Sequence, residues 1–71
     1  MNVIGKTIWY SRAHGYGFIR VLDKRITDAF VHYSDIFDPP NIFSALKKGQ
    51  LVKFRVYITR QGPVAKEVRK I

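Results

Sequence analysis

Two stretches decide the fold, Tyr16-Gly17-Phe18-Ile19-Arg20-Val21-Leu22 and Ala29-Phe30-Val31-His32-Tyr33. Both are rich in aromatic and β-branched residues, with Gly15 before the first and Asp23-Lys24 between them as turn formers. In an extended chain successive side chains alternate between faces. The first stretch therefore puts Tyr16, Phe18 and Arg20 on one side and Gly17, Ile19 and Val21 on the other. The second sets Phe30 and His32 against Ala29, Val31 and Tyr33. Each strand is apolar on both faces, yet a chain of 71 residues has a single interior. The aliphatic set suits that interior, because Ile19, Val21 and Val31 are compact and carry no polar atom needing a partner. Tyr16, Phe18, Phe30 and His32 are then outside, side by side where the two strands pair, with Trp9 or Tyr10 adding a ring from the strand before. Such a patch is a binding surface or an aggregation liability; burial against a second copy or an added sheet is the competing reading. Gly15 and Gly17 flank Tyr16 and are expected to leave room for a flat ligand.

Working outward, the same punctuation gives five strands, at Lys6 to Ser11, Tyr16 to Leu22, Ala29 to Tyr33, Leu51 to Thr59 and Val64 to Arg69. The fourth alternates most clearly, with Val52, Phe54, Val56 and Ile58 expected on the inner face and Lys53, Arg55, Tyr57 and Thr59 on the outer. Helical turns are expected at Ser34 to Ile36 and Ile42 to Lys48, both too short to read a groove. No repeat or linker divides the chain, so residues 1–71 read as one domain. A chain of this size buries only about 60% of the surface its unfolded form exposes, which leaves room for one thin core. Five short strands must then curl into a partly closed all-β barrel, because a flat sheet would leave a face and two edges bare. There is no cysteine, hence no disulfide and no thiolate metal site. The longest apolar run is three residues and the amino terminus lacks a signal-peptide core, so a cytoplasmic location is expected.

The formal net charge of +8 is unevenly placed. Residues 47–71 carry eight basic side chains, Lys47, Lys48, Lys53, Arg55, Arg60, Lys66, Arg69 and Lys70, against Glu67 alone, whereas the first 46 residues are nearly neutral. Eight of the ten aromatics lie in that neutral part. Excess positive charge favours polyanions. Rings beside a positive surface suit single-stranded nucleic acid, because every base has a π-face and every nucleotide a phosphate. A duplex suits it less, since its bases are not free to stack.

The segments His14-Gly15-Tyr16-Gly17-Phe18-Ile19 and Ala29-Phe30-Val31-His32-Tyr33 resemble the two ribonucleoprotein motifs of the cold-shock domain family. The likeness extends to Gly5-Lys6 before Trp9-Tyr10, to Ser34-Asp35-Ile36, to Lys48-Gly49-Gln50 and to Gly62-Pro63, in order along nearly the whole chain. The resemblance implies an OB-type, five-stranded antiparallel barrel that binds single-stranded RNA or DNA, as an RNA chaperone or a regulator of transcription or translation. It also implies a stacking set of Trp9, Tyr16, Phe18, Phe30, His32, Tyr33 and Phe43. Charge and strand parity add Lys6 and Arg20, and the basic half adds Lys47, Lys48, Lys53, Arg55 and Arg60 as phosphate contacts. The chain departs from the family pattern in several places: Ile8 stands where a lysine is common, His14 replaces the lysine that opens the first motif, and the slightly longer loop Phe37 to Phe43 carries Pro39-Pro40 in place of a glycine-containing stretch.

Other chemistries find little support. His14 and His32 are the sole imidazoles, with no cysteine beside them, so no metal is expected. Asp23, Asp28, Asp35 and Asp38 lie at turns, where aspartate commonly bonds its own backbone, and no Gly-Lys-Ser/Thr loop or nucleophile with base and acid partners is present. Neither catalysis, cofactor nor small-molecule substrate is expected. An amphipathic turn at Ile42, Phe43 and Leu46 is too short to anchor on a membrane. The alternative function is a protein adaptor that docks on the transcription or translation machinery through the basic half or the Pro39-Pro40 loop, but an adaptor has no need of Tyr16, Phe18, Phe30 and His32 together.

Overall fold

A computed structural model describes residues 2–23, 25–26, 28–37 and 46–71. Five strands, β1 (Asn2–Ser11), β2 (Tyr16–Val21), β3 (Ala29–His32), β4 (Leu51–Thr59) and β5 (Gly62–Lys70), close into a barrel in the order β1-β2-β3-β5-β4. Four seams are antiparallel; β3 and β5 close the barrel in parallel, through Phe30 opposite Val64. The fold is all-β, with a single 3-10 turn at Tyr33–Asp35 among the described residues. The expected turn at Ser34 to Ile36 is this one, shifted by a residue because the His32 side chain caps it, accepting from the Ser34 N–H. Of the turn expected at Ile42 to Lys48, residues 42–45 lie outside the described residues, and Leu46 and Lys47 form no helix.

The aliphatic set is inside. Ile19, Ala29, Val31, Val52, Ala65 and Val68 are fully buried, and Phe54 fills the middle of the core with them. Full burial of one such side chain stabilises by about 1.5–3 kcal/mol, which fixes the register, since a one-residue slip would export the whole set.

Two strands are longer than the sequence suggested, and in both a glycine lies within the strand. Gly5 is paired on both sides at once, with Val21 of β2 and Val52 of β4. A Cβ there would lie 2.6 Å from Ile19, 2.7 Å from the Arg20 carbonyl oxygen and 2.8 Å from the Phe54 ring, so glycine is what lets β1 pass between its two neighbours. At the other hairpin the loop is only Arg60-Gln61, and Gly62 opens β5 with φ +119° opposite Thr59.

Two bulges reset the side-chain parity. In β1, Thr7 faces Ile19 but Trp9 faces Phe18, so Ile8 is an extra residue. In β5, Lys66 faces Arg55 but Arg69 faces Lys53, so Glu67 and Val68 together oppose Phe54, with Glu67 at φ +52° in the place glycine favours in such a bulge. The alternation expected along β4 also fails at one point: Ile58 is 72% exposed rather than inward. Beyond Arg55 no residue of β1 pairs with β4, and Val64 is the one described residue of β5 paired with β3, so the β4–β5 hairpin runs past the closed part of the barrel, with Gly62 and Pro63 beside Phe18 and Phe30 and Ile58 turned to solvent.

Candidate nucleic-acid interface

The outer face of β1, β2 and β3 carries the rings. The antiparallel register sets Tyr16 opposite His32 and Phe18 opposite Phe30, which makes the four neighbours across one seam. The Ile8 bulge turns Trp9 outward to meet them, whereas Tyr10 leans on the core, where burial raises its hydroxyl pKa. The choice between Trp9 and Tyr10 is therefore made by the bulge. Four rings close a cycle: Trp9 to Tyr16 at 5.6 Å, Tyr16 to Phe30 at 5.7 Å and near-parallel at 29°, Phe30 to Phe18 at 5.7 Å edge-on, and Phe18 to Trp9 at 6.0 Å edge-on. Leaning on one another half-buries Tyr16, Phe18 and Phe30, while Trp9 stays 44% exposed. Such packing fixes the rings as a rigid platform, so little side-chain entropy remains to be lost when a base stacks on it.

His32 and Tyr33 form a second ring pair, 4.5 Å apart and tilted by 40°. Nδ1 of His32 accepts from the Ser34 backbone N–H and lies 2.8 Å from the Ser34 hydroxyl. A nitrogen that accepts carries no proton, so in the neutral ring Nε2 bears the hydrogen. Tyr33, which simple alternation would have put inside, leaves the strand where the 3-10 turn begins and is 53% exposed. Phe43, the seventh ring of the expected set, lies outside the described residues.

The two glycines beside Tyr16 do different work from that expected. Gly17 is buried, and a Cβ on it would lie 2.3 Å from the Trp9 carbonyl oxygen and 2.7 Å from Cα of Tyr10; it permits close approach of β1, and no ligand could reach it. Gly15, at φ +74°, packs its Cα under the Tyr33 ring and so supports the second ring pair.

Lys6 and Arg20 are cross-strand partners, and with Lys48, Gly49 and Ile8 they line one hollow at the edge of the ring face. Arg20 also lies 3.7 Å from Asp28. Lys47 is exposed next to Lys48, and Arg60 is exposed in the hairpin loop. Lys53 and Arg55 are elsewhere, on the outer face of β4, and Arg55 donates to Glu67 at 3.2 Å. Asp23 is held down at about 2 by hydrogen bonds from Arg25, whose guanidinium is thereby engaged within the β2–β3 loop.

Sequence reasoning missed two contributors. The His14 ring lies 5.9 Å from Tyr16 and extends the platform at its rim. A second hollow joins Phe18 and Phe30 to Gln61, Gly62, Pro63 and Val64 of the hairpin. The parallel pairing of Phe30 with Val64 brings this about, and no local pattern announces it.

With this geometry in place, comparison with known proteins is decisive. Residues 3–71 match the family described as the 'Cold-shock' DNA-binding domain. The chain belongs to the cold-shock domain family. Its curated relatives include a cold shock-like protein of Aquifex aeolicus, 44% identical over 69 residues that cover 97% of this chain and 94% of that one. The major cold shock protein CspA of Bacillus cereus is 38% identical over the full length of both, and the cold shock-like protein CspC of Escherichia coli K12 is 37% identical over 99% of this chain and 97% of its own. Among solved structures, Drosophila Unr CSD456 superposes with a TM-score of 0.78 at 17% identity; this chain covers 27% of that one, and the likeness concerns the fold. Cold-shock domains are non-enzymatic nucleic-acid-binding modules that take single strands.

Proposed function

We propose that this cold-shock domain binds single-stranded RNA or DNA on the ring face of β1, β2 and β3 and acts as a nucleic-acid chaperone in the cytoplasm, with consequences for transcription or translation. The observation that carries the reading is the closed cycle of Trp9, Tyr16, Phe30 and Phe18 on an outer surface beside Lys6, Arg20 and Lys48. Rings held at these angles offer open faces to unpaired bases, and the adjacent cations meet the phosphates. Stacking is indifferent to base identity, so contacts are dispersed and sequence preference is modest, toward pyrimidine runs at most. His32 adds an Nε2–H donor at the edge of the platform, able to meet a base carbonyl.

A protein that binds only the unpaired state lowers the melting temperature of a duplex by mass action. Marginal hairpins should melt several degrees lower at saturating protein and physiological salt, while long duplexes stay intact. Ultraviolet melting of a short hairpin with and without the protein measures this. Unchanged melting, or tight binding to one sequence and none to its permutations, would replace the chaperone reading with that of a dedicated regulator.

A further inference from the structure

Lys48 apart, much of the positive charge of the carboxyl-terminal half is not gathered round the rings. In the closed order β1-β2-β3-β5-β4, the seam farthest from β2 is that between β5 and β4. Lys53 pairs with Ile4 of β1, two residues from Lys6, and Arg69 lies one strand further round, so the seam begins where the ring-face cations end and leads away from the rings.

The register on this far seam works against the fold. Lys53 stands directly opposite Arg69, and Arg55 directly opposite Lys66, so two like-charged pairs face each other across neighbouring strands. Opposed like charges destabilise a sheet. Glu67 answers Arg55 at 3.2 Å and Asp35 answers Lys66 at 3.2 Å, but among the described residues no carboxylate pairs with Lys53 or Arg69. Arg69 is instead held over the Phe37 ring, 5.0 Å from its centre. With Asn2, Arg55 and Glu67 these two cations line a hollow of about 290 Å³. Among the described residues no aromatic ring lines that hollow, which offers charge and hydrogen-bond donors, while Phe37 and Tyr57 line the neighbouring hollow with Lys66.

We propose that the β4–β5 seam is a second nucleic-acid site, which holds a phosphate backbone by charge alone, with Lys53 and Arg69 as its centre. The polyanion relieves the like-charge repulsion that the folded chain carries there. A site that reads only phosphates accepts a duplex, which the ring face does not. One molecule then holds an unpaired strand on one side and a neighbouring paired segment on the other. The proposal goes beyond the ring-face reading and does not depend on it.

The test uses the full chain with two probes. The first is a donor-labelled oligothymidylate of about six nucleotides, near the lower end of what one OB-type barrel covers. The second is an acceptor-labelled duplex of about one helical turn, roughly 10 base pairs. At low salt the wild type should bring the two dyes together. Duplex binding through about four phosphate contacts should weaken about 150-fold between 50 and 200 mM salt. Lys53→Glu with Arg69→Glu should abolish duplex binding and energy transfer, while oligothymidylate binding, read at physiological salt where the long-range field is screened, should be largely retained. Lys53→Glu alone keeps Arg69 on Phe37 and turns a repelling pair into an attracting one, so it should raise Tm by a few degrees while weakening duplex binding. Duplex binding that survives these changes, or no duplex binding at low salt, overturns the proposal; in the second case an acidic protein becomes the better occupant. If the oligothymidylate fails to bind while the duplex binds and responds to Lys53→Glu, the ring-face reading falls and this one stands.

Discussion

Phe18→Ala and Phe30→Ala each weaken binding of a short single strand by about 1–3 kcal/mol, with the slope of affinity against salt unchanged, because a stacked base is lost and no phosphate contact is. The two rings touch edge-on at 5.7 Å, so the double substitution costs less than the sum. Stability is the second readout. Both rings are half-buried on the outside, whereas Ile19, next to Phe18 in sequence but on the opposite face, is fully buried. Ile19→Ala should cost about 2–5 kcal/mol of folding stability, and the phenylalanine substitutions much less. Oligonucleotide titrations at two salt concentrations, with a thermal melt of each variant, separate the two effects. Unfolding of the phenylalanine variants with no loss of affinity in the folded fraction would mean that the faces are reversed.

Gly17→Ala does the opposite. Its methyl group would lie 2.3 Å from the Trp9 carbonyl oxygen and 2.7 Å from the Tyr10 Cα, both backbone atoms that cannot rotate away. The β1–β2 seam must separate, at a cost of about 3 kcal/mol or more. A domain of this size has only about 5–10 kcal/mol in total, and its Tm should fall by about 12–24 °C. If Gly17 instead served to admit a ligand, Gly17→Ala would melt normally and bind poorly. Circular dichroism of the variant decides between these outcomes.

The inner and outer faces of β2 and β3 were legible because both strands are regular: period-two alternation holds from Tyr16 to Val21 and from Ala29 to His32. Parity failed wherever the ladder gains a residue. Nothing in Thr7-Ile8-Trp9 marks Ile8 as the extra one, since all three fit a strand; the bulge arises because β1 must bend between β4 and β2. In β5 the inward residues Ala65 and Val68 are three apart, a spacing that hints at a bulge once the strand is known, but Glu67 conceals it by standing where a glycine would have marked it. Ile58 misled for a different reason, since alternation assumes an inside along the whole strand, and the β4–β5 hairpin runs past the closed part of the barrel, where Ile58 turns to solvent. The rings of the candidate site could be gathered from sequence because they sit on adjacent strands. The separation of the cations into two faces could not, because it depends on β5 crossing to β3.

The central claim is that unpaired bases stack on the ring face, and Trp9 reports on it directly. It is the single tryptophan, 44% exposed, and it touches both Tyr16 and Phe18. Its fluorescence should be followed while a short oligothymidylate, and separately a short duplex, is added at physiological salt. Saturable quenching by the single strand, with none by the duplex and with loss of the effect in Phe18→Ala, is the predicted result. Equal quenching by both, or an unchanged spectrum at saturating single strand, would contradict it.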